Sequence, residues 1–368
     1  MTGKGHNIEV IAGSFTNKNL IGKVEPFLDE GVPVFFVPLL PYPKLRGVSM
    51  ASYTLPTLST ISFMAKQLLQ KKDVVIHLHG LSHPIIDIAA FTCIMLRRRY
   101  VVTCHGIPMA PAEANRLIGL IFRLYLATVE GTISKSASAV TFVSKMLMKE
   151  CIARGITNRT MKVITNGFDQ NLSNATAKSL DAIDEKYALR GKQVILAIGR
   201  LNHSKGVQHL IEAMGHVASK LPNTLAIIAG SGPYRDILED LIFQCKLTGQ
   251  VRLVGRISEE EKAALYKRSD VVVFPSLREP FGLVILEAFA MQKPVIAFNT
   301  ESAREIIGDK TDGLLVSTGD SKKLAEAIVQ VLTDSQLKNM LVENTGRKIE
   351  TFRWERIIRE YETTYLEA

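Results

Sequence analysis

Short apolar runs alternate with amphipathic segments from residue 191 onward. Each run is rich in Val, Ile and Leu at consecutive positions, which is typical of strands buried on both faces of a parallel sheet. The runs are Val194–Ile198, Leu225–Ala229, Val251–Val254, Val271–Phe274, Val295–Phe298 and Leu314–Val316.

The segments between these runs show helical periodicity. Apolar residues recur every three or four positions, and one such set is Val207, Leu210, Ile211, Met214 and Val217. Ser258 followed by Glu261 forms a capping box that predicts a helix to about Arg268. Strands that alternate with helices in this way predict a parallel sheet with right-handed crossovers, as in a Rossmann-like domain.

The first half of the chain shows a similar but less regular pattern. Its strand candidates are Val74–Leu78, Tyr100–Cys104 and Ala139–Val143, and its helix candidates lie near residues 59–70, 85–97 and 114–130. The polar stretch from Asn171 to Lys192 is typical of a linker. We therefore predict an α/β protein of two Rossmann-like domains facing a cleft, over residues 1–170 and 171–351. The amphipathic helix at residues 352–368 should pack back onto the first domain.

The amino-acid composition indicates the class of protein and its cellular compartment. The 368 residues include 46% hydrophobic and 22% charged residues, as in a globular protein. No stretch approaches the roughly 18 uncharged apolar residues that a membrane span needs, and the start of the chain lacks the apolar core of a signal peptide. Four cysteines are scattered without metal-ligand or redox spacing. These features predict a cytoplasmic protein.

The net charge of +9 lies entirely in the first half. Residues 1–180 hold 20 Lys and Arg against 10 Asp and Glu, whereas the remainder holds 25 against 26. Such an excess indicates an anionic partner, such as a membrane surface, a pyrophosphate-linked acceptor or nucleic acid. Nucleic acid is the least favoured of these, because no aromatic-basic binding motif is present. The alternative is a well-solvated basic surface.

Two loops after predicted strands carry candidate chemistry. Strand Val194–Ile198 runs into Gly199-Arg200 and then Lys205-Gly206. Ligands of open α/β sheets bind beyond the carboxyl ends of the strands, where two cations and two glycines would suit a diphosphate. Dipeptides of these kinds are also common in ordinary loops.

The second loop is more specific. Glu279 lies between strand Val271–Phe274 and a helix that should begin near Gly282, and Glu287 lies inside that helix among apolar residues. A carboxylate in so apolar a helix needs a hydrogen-bond partner, which a sugar hydroxyl could supply. The alternative is that the two carboxylates only interact favourably with the dipole of the helix.

Glu279 and Glu287, in EPFGLVILE, form the E-x7-E pattern of retaining glycosyltransferases. The chain resembles glycosyltransferase family 4, of the GT-B fold. The matches in the second half are AIGRLNHSKG, IIAGSGPYRDIL, VRLVGRIS, DVVVFPSLREPFGLVILEAFA, KPVIAF, AREII and DGLLV. The first half adds DVVIHLHG, VVTCHG, AVTFVS and VITNGFD, which resemble landmarks of the family's acceptor-binding domain.

The resemblance implies a role for each matched residue. Arg200 and Lys205 would hold the donor diphosphate, Glu279 would contact the transferred sugar, and His105 would approach the reaction centre. These four are the predicted catalytic residues, and Arg200, Lys205 and Glu279 would also bind the donor. The remaining donor-binding residues would be Gly232, Glu287 (at the ribose), Arg256 and Ile257 (at the base), and Phe281, Gly282 and Leu283 (through backbone N–H groups). In the family's same-face attack the leaving phosphate takes the acceptor proton, so we assign no protein general base. No metal and no cofactor is expected, and no D-x-D motif is present.

Some positions depart from the family or suggest other chemistry. Gln292 replaces a frequent Gly, and residues 299–302 replace a frequent glycine pair beside the donor site.

His77, His79 and His83 could suggest a zinc site. No Cys or carboxylate completes a ligand set, which favours a packing role for these histidines.

The start of the chain allows two interpretations. Gly5-His6 before Ile8–Ala12 resembles the family's second strand, which would mean that the first strand, loop and helix are missing. The alternative makes Ile8–Ala12 the first strand, followed by a helix over residues 18–30 that includes Leu20, Ile21, Val24, Phe27 and Leu28. Pro26 weakens that helix.

The resulting hypothesis is a retaining hexosyltransferase that moves a sugar from a UDP- or GDP-sugar to a lipid-linked or polysaccharide acceptor. It would reside in the cytoplasm, on or near the membrane face. The alternatives are a nucleotide-sugar epimerase of the same fold and a glycan-binding relative that has lost turnover.

Overall fold

The computed structural model of the chain describes residues 6–14, 26–29, 32–41, 54–71, 73–106, 116–168 and 176–368. The chain divides into two compact units. The first comprises Met1–Ile164 together with Ile358–Ala368, and the second comprises Thr165–Ile357. These limits lie within six residues of the predicted domain limits at 170 and 351. Each unit is described separately below.

The second unit contains a six-stranded parallel sheet. Its strands are β9 (Gln193–Ile198), β10 (Thr224–Ala229), β11 (Val251–Gly255), β12 (Val271–Phe274), β13 (Val295–Phe298) and β14 (Leu314–Val316). All six match the predicted apolar runs. Their spatial order is β11-β10-β9-β12-β13-β14, so the order reverses direction between β9 and β12. This is the strand order of a Rossmann-like sheet.

Helices connect these strands in the pattern that the periodicity predicts. They are α7 (Val207–Lys220), α8 (Arg235–Gln244), α9 (Glu259–Arg268), α10 (Leu283–Ala290), α11 (Glu301–Ile306), α12 (Ser321–Thr333) and α13 (Ser335–Ile349). The capping box at Ser258 and Glu261 is formed as predicted. Helix α7 packs against α12, and apolar residues of both join one buried cluster with β9, β10 and β12. The core therefore lies between the sheet and these helices.

The predicted linker at Asn171–Lys192 is wrong for its central part. Helix α6 (Ala177–Lys186) occupies it, with Thr176 as N-cap, and packs against α9. Ile183 and Leu189 are buried, so this segment belongs to the core of the second unit. Residues 171–175 lie outside the described residues.

The first unit contains a four-stranded parallel sheet of β5 (Ile76–His79), β6 (Tyr100–Cys104), β7 (Ala139–Phe142) and β8 (Met161–Val163), in that order. The predicted strand Val74–Leu78 begins two residues later than expected, and Val74 and Val75 are exposed. Strands β6 and β7 are buried throughout, as their apolar sequences predict.

A second sheet in the first unit was predicted only in part: both interpretations of the start of the chain make Ile8–Ala12 a strand, and the first strand of this sheet overlaps it. This sheet joins β1 (Val10–Ser14), β2 (Pro26–Asp29), β3 (Val32–Pro41) and β4 (Thr54–Pro56), with β3 parallel to β1 and antiparallel to β2 and β4. No pairing between described residues joins this sheet to the parallel sheet of β5 to β8, which carries the predicted Rossmann-like alternation. The alternative helix over 18–30 is wrong at residues 26–29, which form β2, while residues 15–25 lie outside the described residues.

The described helices of the first unit are α1 (Leu58–Gln70), α2 (Pro84–Met95), α3 (Arg116–Tyr125), α4 (Gly131–Ser136) and α5 (Lys145–Ile152). A π-helical turn at Leu126–Glu130 separates α3 from α4; the helix predicted near 114–130 covers α3 and this turn but not α4. The last helix, α14 (Trp354–Glu367), begins in the second unit and continues into the first. Nowhere in the described ranges is a helix both long and apolar enough to cross a membrane.

Candidate active site

The reversal of strand order between β9 and β12 determines where a ligand can bind in the second unit. Loops that follow neighbouring strands leave toward opposite sides at such a point and open a crevice at the carboxyl ends of the strands. The loop after β9 carries Arg200 and Lys205, and the loop after β12 carries Glu279 and Gly282. The backbone N–H of Leu277 donates to the carbonyl of Ser204 over 2.9 Å, so the two loops are joined.

Two glycines allow the loop after β9 to lie close to the loops after β12 and β10. Gly206 has φ +66°, and a Cβ there would lie 1.8 Å from the carbonyl oxygen of Pro275. A Cβ on Gly232, one of the predicted donor-binding residues, would lie 2.1 Å from the carbonyl oxygen of Leu201. Any other residue at either position would force the backbone apart, so these glycines set the shape of the crevice.

Lys205 and Glu279, both predicted as catalytic, form an ion pair. Lys205 closes a 3-10 turn whose N-cap is Asn202; the side-chain oxygen of Asn202 accepts from the Lys205 backbone N–H over 3.1 Å. The side chains of Lys205 and Glu279 keep exposed fractions of 24% and 19%. A cation and a carboxylate thus lie together and remain accessible to a ligand.

Glu287 lies on α10 with two side-chain partners on α9. Lys262 Nζ donates to Glu287 Oε1 over 3.1 Å, and the Tyr266 hydroxyl donates to Glu287 Oε2 over 2.7 Å. The Glu287 side chain is 20% exposed. The hydrogen-bond partner that an apolar helix demands is therefore supplied by the protein, and part of the carboxylate remains open to a ligand.

The other predicted donor-binding residues lie in loops that follow β9 and β11 or at the start of α10. Arg256 is exposed, and its Nε donates to the Ser231 hydroxyl over 2.9 Å. Arg200 is exposed at the end of β9, Leu283 is 48% exposed and Ile257 is half-buried. Gly282 has φ +120° at the start of α10. The side chain of Phe281 is buried and contacts the ring of Phe352, so only its backbone could serve a ligand.

His105, the remaining predicted catalytic residue, belongs to the first unit and follows β6. Its Nε2 lies 3.0 Å from His79 Nδ1, so one ring donates a hydrogen bond to the other. Burial lowers the pKa of His105. Burial, followed by the nearby His105, lowers the pKa of His79 to about 4. Both rings are therefore neutral at pH 7.

His77 is held by packing and hydrogen bonds. Its Nδ1 lies 2.6 Å from the Tyr365 hydroxyl and its Nε2 lies 2.6 Å from Thr103 Oγ1. Burial and the neighbouring histidines lower its pKa to about 3. Both ring nitrogens thus have partners within the protein, which agrees with a packing role. The described residues hold no group of three or more His, Cys, Asp or Glu placed to bind a metal ion.

A buried polar network behind β5 was missed by the sequence analysis. Glu130 is fully buried and accepts hydrogen bonds from the backbone N–H of Ser82 and, over 3.0 Å, from the Tyr125 hydroxyl. Tyr125 also donates to Asp87. Burial, with the charge of Asp87 as a further cause, raises the pKa of Glu130. The network fixes the loop that follows His79. Because its members are up to 48 residues apart, no sequence spacing reveals it.

Lys262 and Tyr266 were also missed. The capping box predicts α9, and residues 262 and 266 lie one turn apart on it. Helical periodicity does not tell which of its faces meets a carboxylate more than twenty residues away in sequence. The signal that could have found them is the lone Glu287 itself, which requires donors from a neighbouring helix.

Comparisons with known proteins identify the family. Residues 1–172 match the family model described as Glycosyltransferase Family 4, and residues 181–348 match the model described as Glycosyl transferases group 1. An uncharacterized glycosyltransferase of Methanocaldococcus jannaschii is 34% identical over 252 residues, which cover 66% of this chain and 61% of that protein. The N-acetyl-alpha-D-glucosaminyl L-malate synthase of Bacillus anthracis is 23% identical over 350 residues, 93% of this chain and 88% of that protein.

The fold has close counterparts among solved structures. The Anabaena protein HepE in complex with UDP-glucose superposes with a TM-score of 0.75 at 22% identity, covering 92% of this chain and 87% of that one. An E. coli trehalose-6-phosphate protein bound to UDP-2-fluoro glucose superposes with a TM-score of 0.73 at 15% identity, covering 97% and 92%. The chain therefore belongs to glycosyltransferase family 4 and has the GT-B fold.

Proposed function

We propose that this chain is a retaining glycosyltransferase that moves a hexose from a UDP- or GDP-sugar to a lipid-linked or polysaccharide acceptor. The observation that carries the proposal is the accessible Lys205–Glu279 pair at the point where the strand order reverses. A nucleotide-sugar needs a cation for its diphosphate and a hydrogen-bond acceptor for its sugar hydroxyls. This crevice offers both at the position where open α/β sheets bind ligands.

Charge accounts for the proposed chemistry. Departure of a nucleoside diphosphate develops negative charge, which Lys205, Arg200 and the free N–H groups at the start of α10 would stabilise. Two side-chain cations can perform this task without a divalent ion, so we propose that no metal is needed. Glu279 would contact the sugar, Glu287 the ribose and Arg256-Ile257 the base. His105 would approach the sugar from the first unit.

A donor screen tests the proposal. UDP-glucose is the first compound to try, because the HepE structure contains it. Nucleotide release should rise when an acceptor is added, should persist with EDTA, and should yield a product whose anomeric configuration by NMR equals that of the donor. Conversion of the sugar nucleotide without acceptor would favour the epimerase instead, and binding without turnover would favour the glycan-binding relative. An inverted anomer would rule out the retaining assignment.

We further propose that the first unit binds anionic membranes peripherally. Helix α3 exposes Leu120, Ile121 and Leu124 on one side, next to the exposed Arg123. These apolar side chains lie in the half of the sequence that holds twice as many basic as acidic residues. Apolar insertion together with attraction to anionic headgroups is the usual basis of reversible interfacial binding.

Vesicle co-sedimentation tests the membrane proposal. Binding to vesicles with anionic lipid should exceed binding to neutral vesicles and should fade as salt rises from about 50 to 500 mM. Leu124→Gln should weaken it, whereas Phe243→Gln, at a 76% exposed position of the second unit, should leave it unchanged. Equal binding to neutral and anionic vesicles would overturn the proposal.

A further inference from the structure

Glu287 is held from two sides by one helix. Lys262 and Tyr266 both lie on α9, four residues apart, and each donates to a different oxygen of the Glu287 carboxylate, over 3.1 and 2.7 Å. Residues at this spacing share one helix face. The carboxylate therefore has a fixed orientation relative to α9.

The two donors keep their protons at neutral pH. Tyr266 is fully buried; burial, followed by the charge of Glu287, raises its pKa well above the usual value. Burial alone would lower the pKa of Lys262, but hydrogen bonding to Glu259 and the charge of Glu287 outweigh burial and raise it. The Tyr266 hydroxyl and the Lys262 ammonium therefore remain hydrogen-bond donors to Glu287 at neutral pH.

The carboxylate retains acceptor capacity beyond these two contacts. A carboxylate has about four lone-pair sites, of which Lys262 and Tyr266 use two. Two sites remain, which is the number that the two hydroxyls of a ribose require. The carboxylate is also partly exposed, so a ligand can reach it.

Helix α9 begins directly after the residues proposed to meet the base. Arg256-Ile257 precede the N-cap Ser258, whose capping box fixes where the helix starts. The position of Glu287 is thus tied to the position of the base-binding backbone through one rigid element.

We propose that Lys262 and Tyr266 are positioning residues that aim the Glu287 carboxylate at the ribose hydroxyls of the donor and so make the site selective for ribonucleoside over deoxyribonucleoside diphosphates. This inference rests on the proposed function, because it takes the ligand of Glu287 to be the ribose.

Binding of UDP and of 2′-deoxy-UDP, measured by isothermal titration calorimetry, tests the inference. The wild type should prefer UDP by about tenfold, the effect expected of one hydrogen bond to a charged group. Tyr266→Phe keeps the buried ring and removes only the hydroxyl. It should weaken UDP binding by about fivefold to tenfold and 2′-deoxy-UDP binding by a smaller factor, because the deoxy compound keeps only the 3′-hydroxyl, and so reduce the preference. Lys262→Met should shift the ratio in the same direction, and Lys262→Arg should restore most of it.

Glu259→Gln is the matched control. Glu259 forms the other ion pair of Lys262, at 2.6 Å, but its side chain is 81% exposed. This variant should retain the preference for UDP within about twofold. Equal weakening of UDP and 2′-deoxy-UDP in the Tyr266 and Lys262 variants would mean a purely structural role and would overturn the inference. If Tyr266→Phe does not fold, the Lys262 pair of variants decides. A wild type that binds no nucleoside diphosphate would instead remove the proposed function itself.

Discussion

At the scale of single residues, the ion pair between Lys205 and Glu279 shapes the chemistry proposed for the crevice. Each side chain neutralises the other before a ligand arrives. In the proposed reaction an incoming diphosphate would compete with Glu279 for Lys205. Once the ammonium turned to the phosphates, the carboxylate would become available to the sugar. The pair would then couple the binding of the diphosphate to the binding of the sugar.

Removing either member of the pair should reduce activity strongly. Lys205→Ala and Glu279→Ala are each expected to lower kcat/KM by about 10²–10³, because groups that stabilise developing charge contribute on the order of 3–4 kcal/mol. Steady-state kinetics with the identified donor measures the effect, and circular dichroism should show an intact fold. Lys186→Ala is the control, since Lys186 forms a similar ion pair with Glu261 at the surface and should retain activity within about twofold. Activity within about threefold of wild type in both site variants would contradict the site assignment.

His77 should make the protein less stable as the pH falls. Its pKa is lowered to about 3 in the fold, against about 6.5 in the unfolded chain, so the unfolded state takes up the proton first. Stability is then complete above pH 6.5 and decreases below it, by about 2 kcal/mol at pH 5 for one such group.

The effect of His77 is isolated by a double difference. The free energy of unfolding of the wild type and of His77→Gln is measured in urea at pH 7 and at pH 5. The advantage of the wild type should shrink by about 1–2 kcal/mol at the lower pH, because Gln does not titrate. An advantage that is the same at both pH values would show that His77 is not held neutral by the fold.

At the scale of elements, the end of α10 explains one departure from the family. Gln292 follows the C-cap Met291 and has φ +54°, a left-handed conformation that favours glycine. In the family that the chain resembles, a Gly is frequent at this position. The positive φ of Gln292 fits a position that suits Gly, and a residue with a Cβ is strained there.

Gln292→Gly should stabilise the protein. Relief of the left-handed strain is worth about 1–2 kcal/mol, and the greater freedom of Gly in the unfolded chain offsets part of it, which leaves about 0.5–1 kcal/mol. Urea unfolding measures the change. Gln292→Ala keeps a Cβ at the same φ and should bring no such gain, so equal stabilisation by Ala and Gly would point to a cause other than the backbone.

The elements differ in how far the sequence reveals them. Strands β9 to β14 were predicted correctly because nearly every position is apolar, and β9, β10, β12 and β13 are buried along most of their length. Strand β3 was missed because Pro33, Pro38 and Pro41 interrupt it, and proline is unfavourable within a sheet. The π-helical turn before α4 was missed because its sequence fits an ordinary helix equally well.

The same contrast holds for the candidate site. Lys205 and Glu279 were singled out because each follows a predicted strand, at the edge of the sheet where ligands bind, and because both match motifs of the family. That they pair with one another, and that Glu287 pairs with α9, depends on side-chain directions that strand and helix patterns do not contain. Side-chain contacts between residues far apart in sequence can be identified only from the three-dimensional structure.

At the scale of the whole molecule, α14 contributes residues to both units. Its first residues belong to the second unit and the residues from Ile358 onward to the first. In the first unit the Tyr365 hydroxyl forms a hydrogen bond with His77 Nδ1, and the Tyr361 hydroxyl lies 3.3 Å from Thr103 Oγ1. Strands β5 and β6 thus receive polar partners from the far end of the sequence.

This arrangement has a consequence for synthesis on the ribosome. Residues 165–357 emerge as one continuous stretch and contain the whole second unit, whereas residues 1–164 emerge earlier but wait for 358–368. Domains generally fold as units during translation. Ribosome-bound chains stalled after Ile357, with a spacer that clears the exit tunnel, should therefore resist protease across the second unit but not across β5 and β6. Chains stalled after Ala368 should resist across both, and equal resistance of β5 and β6 in the two sets would contradict the prediction. The unit that is synthesised first is completed last.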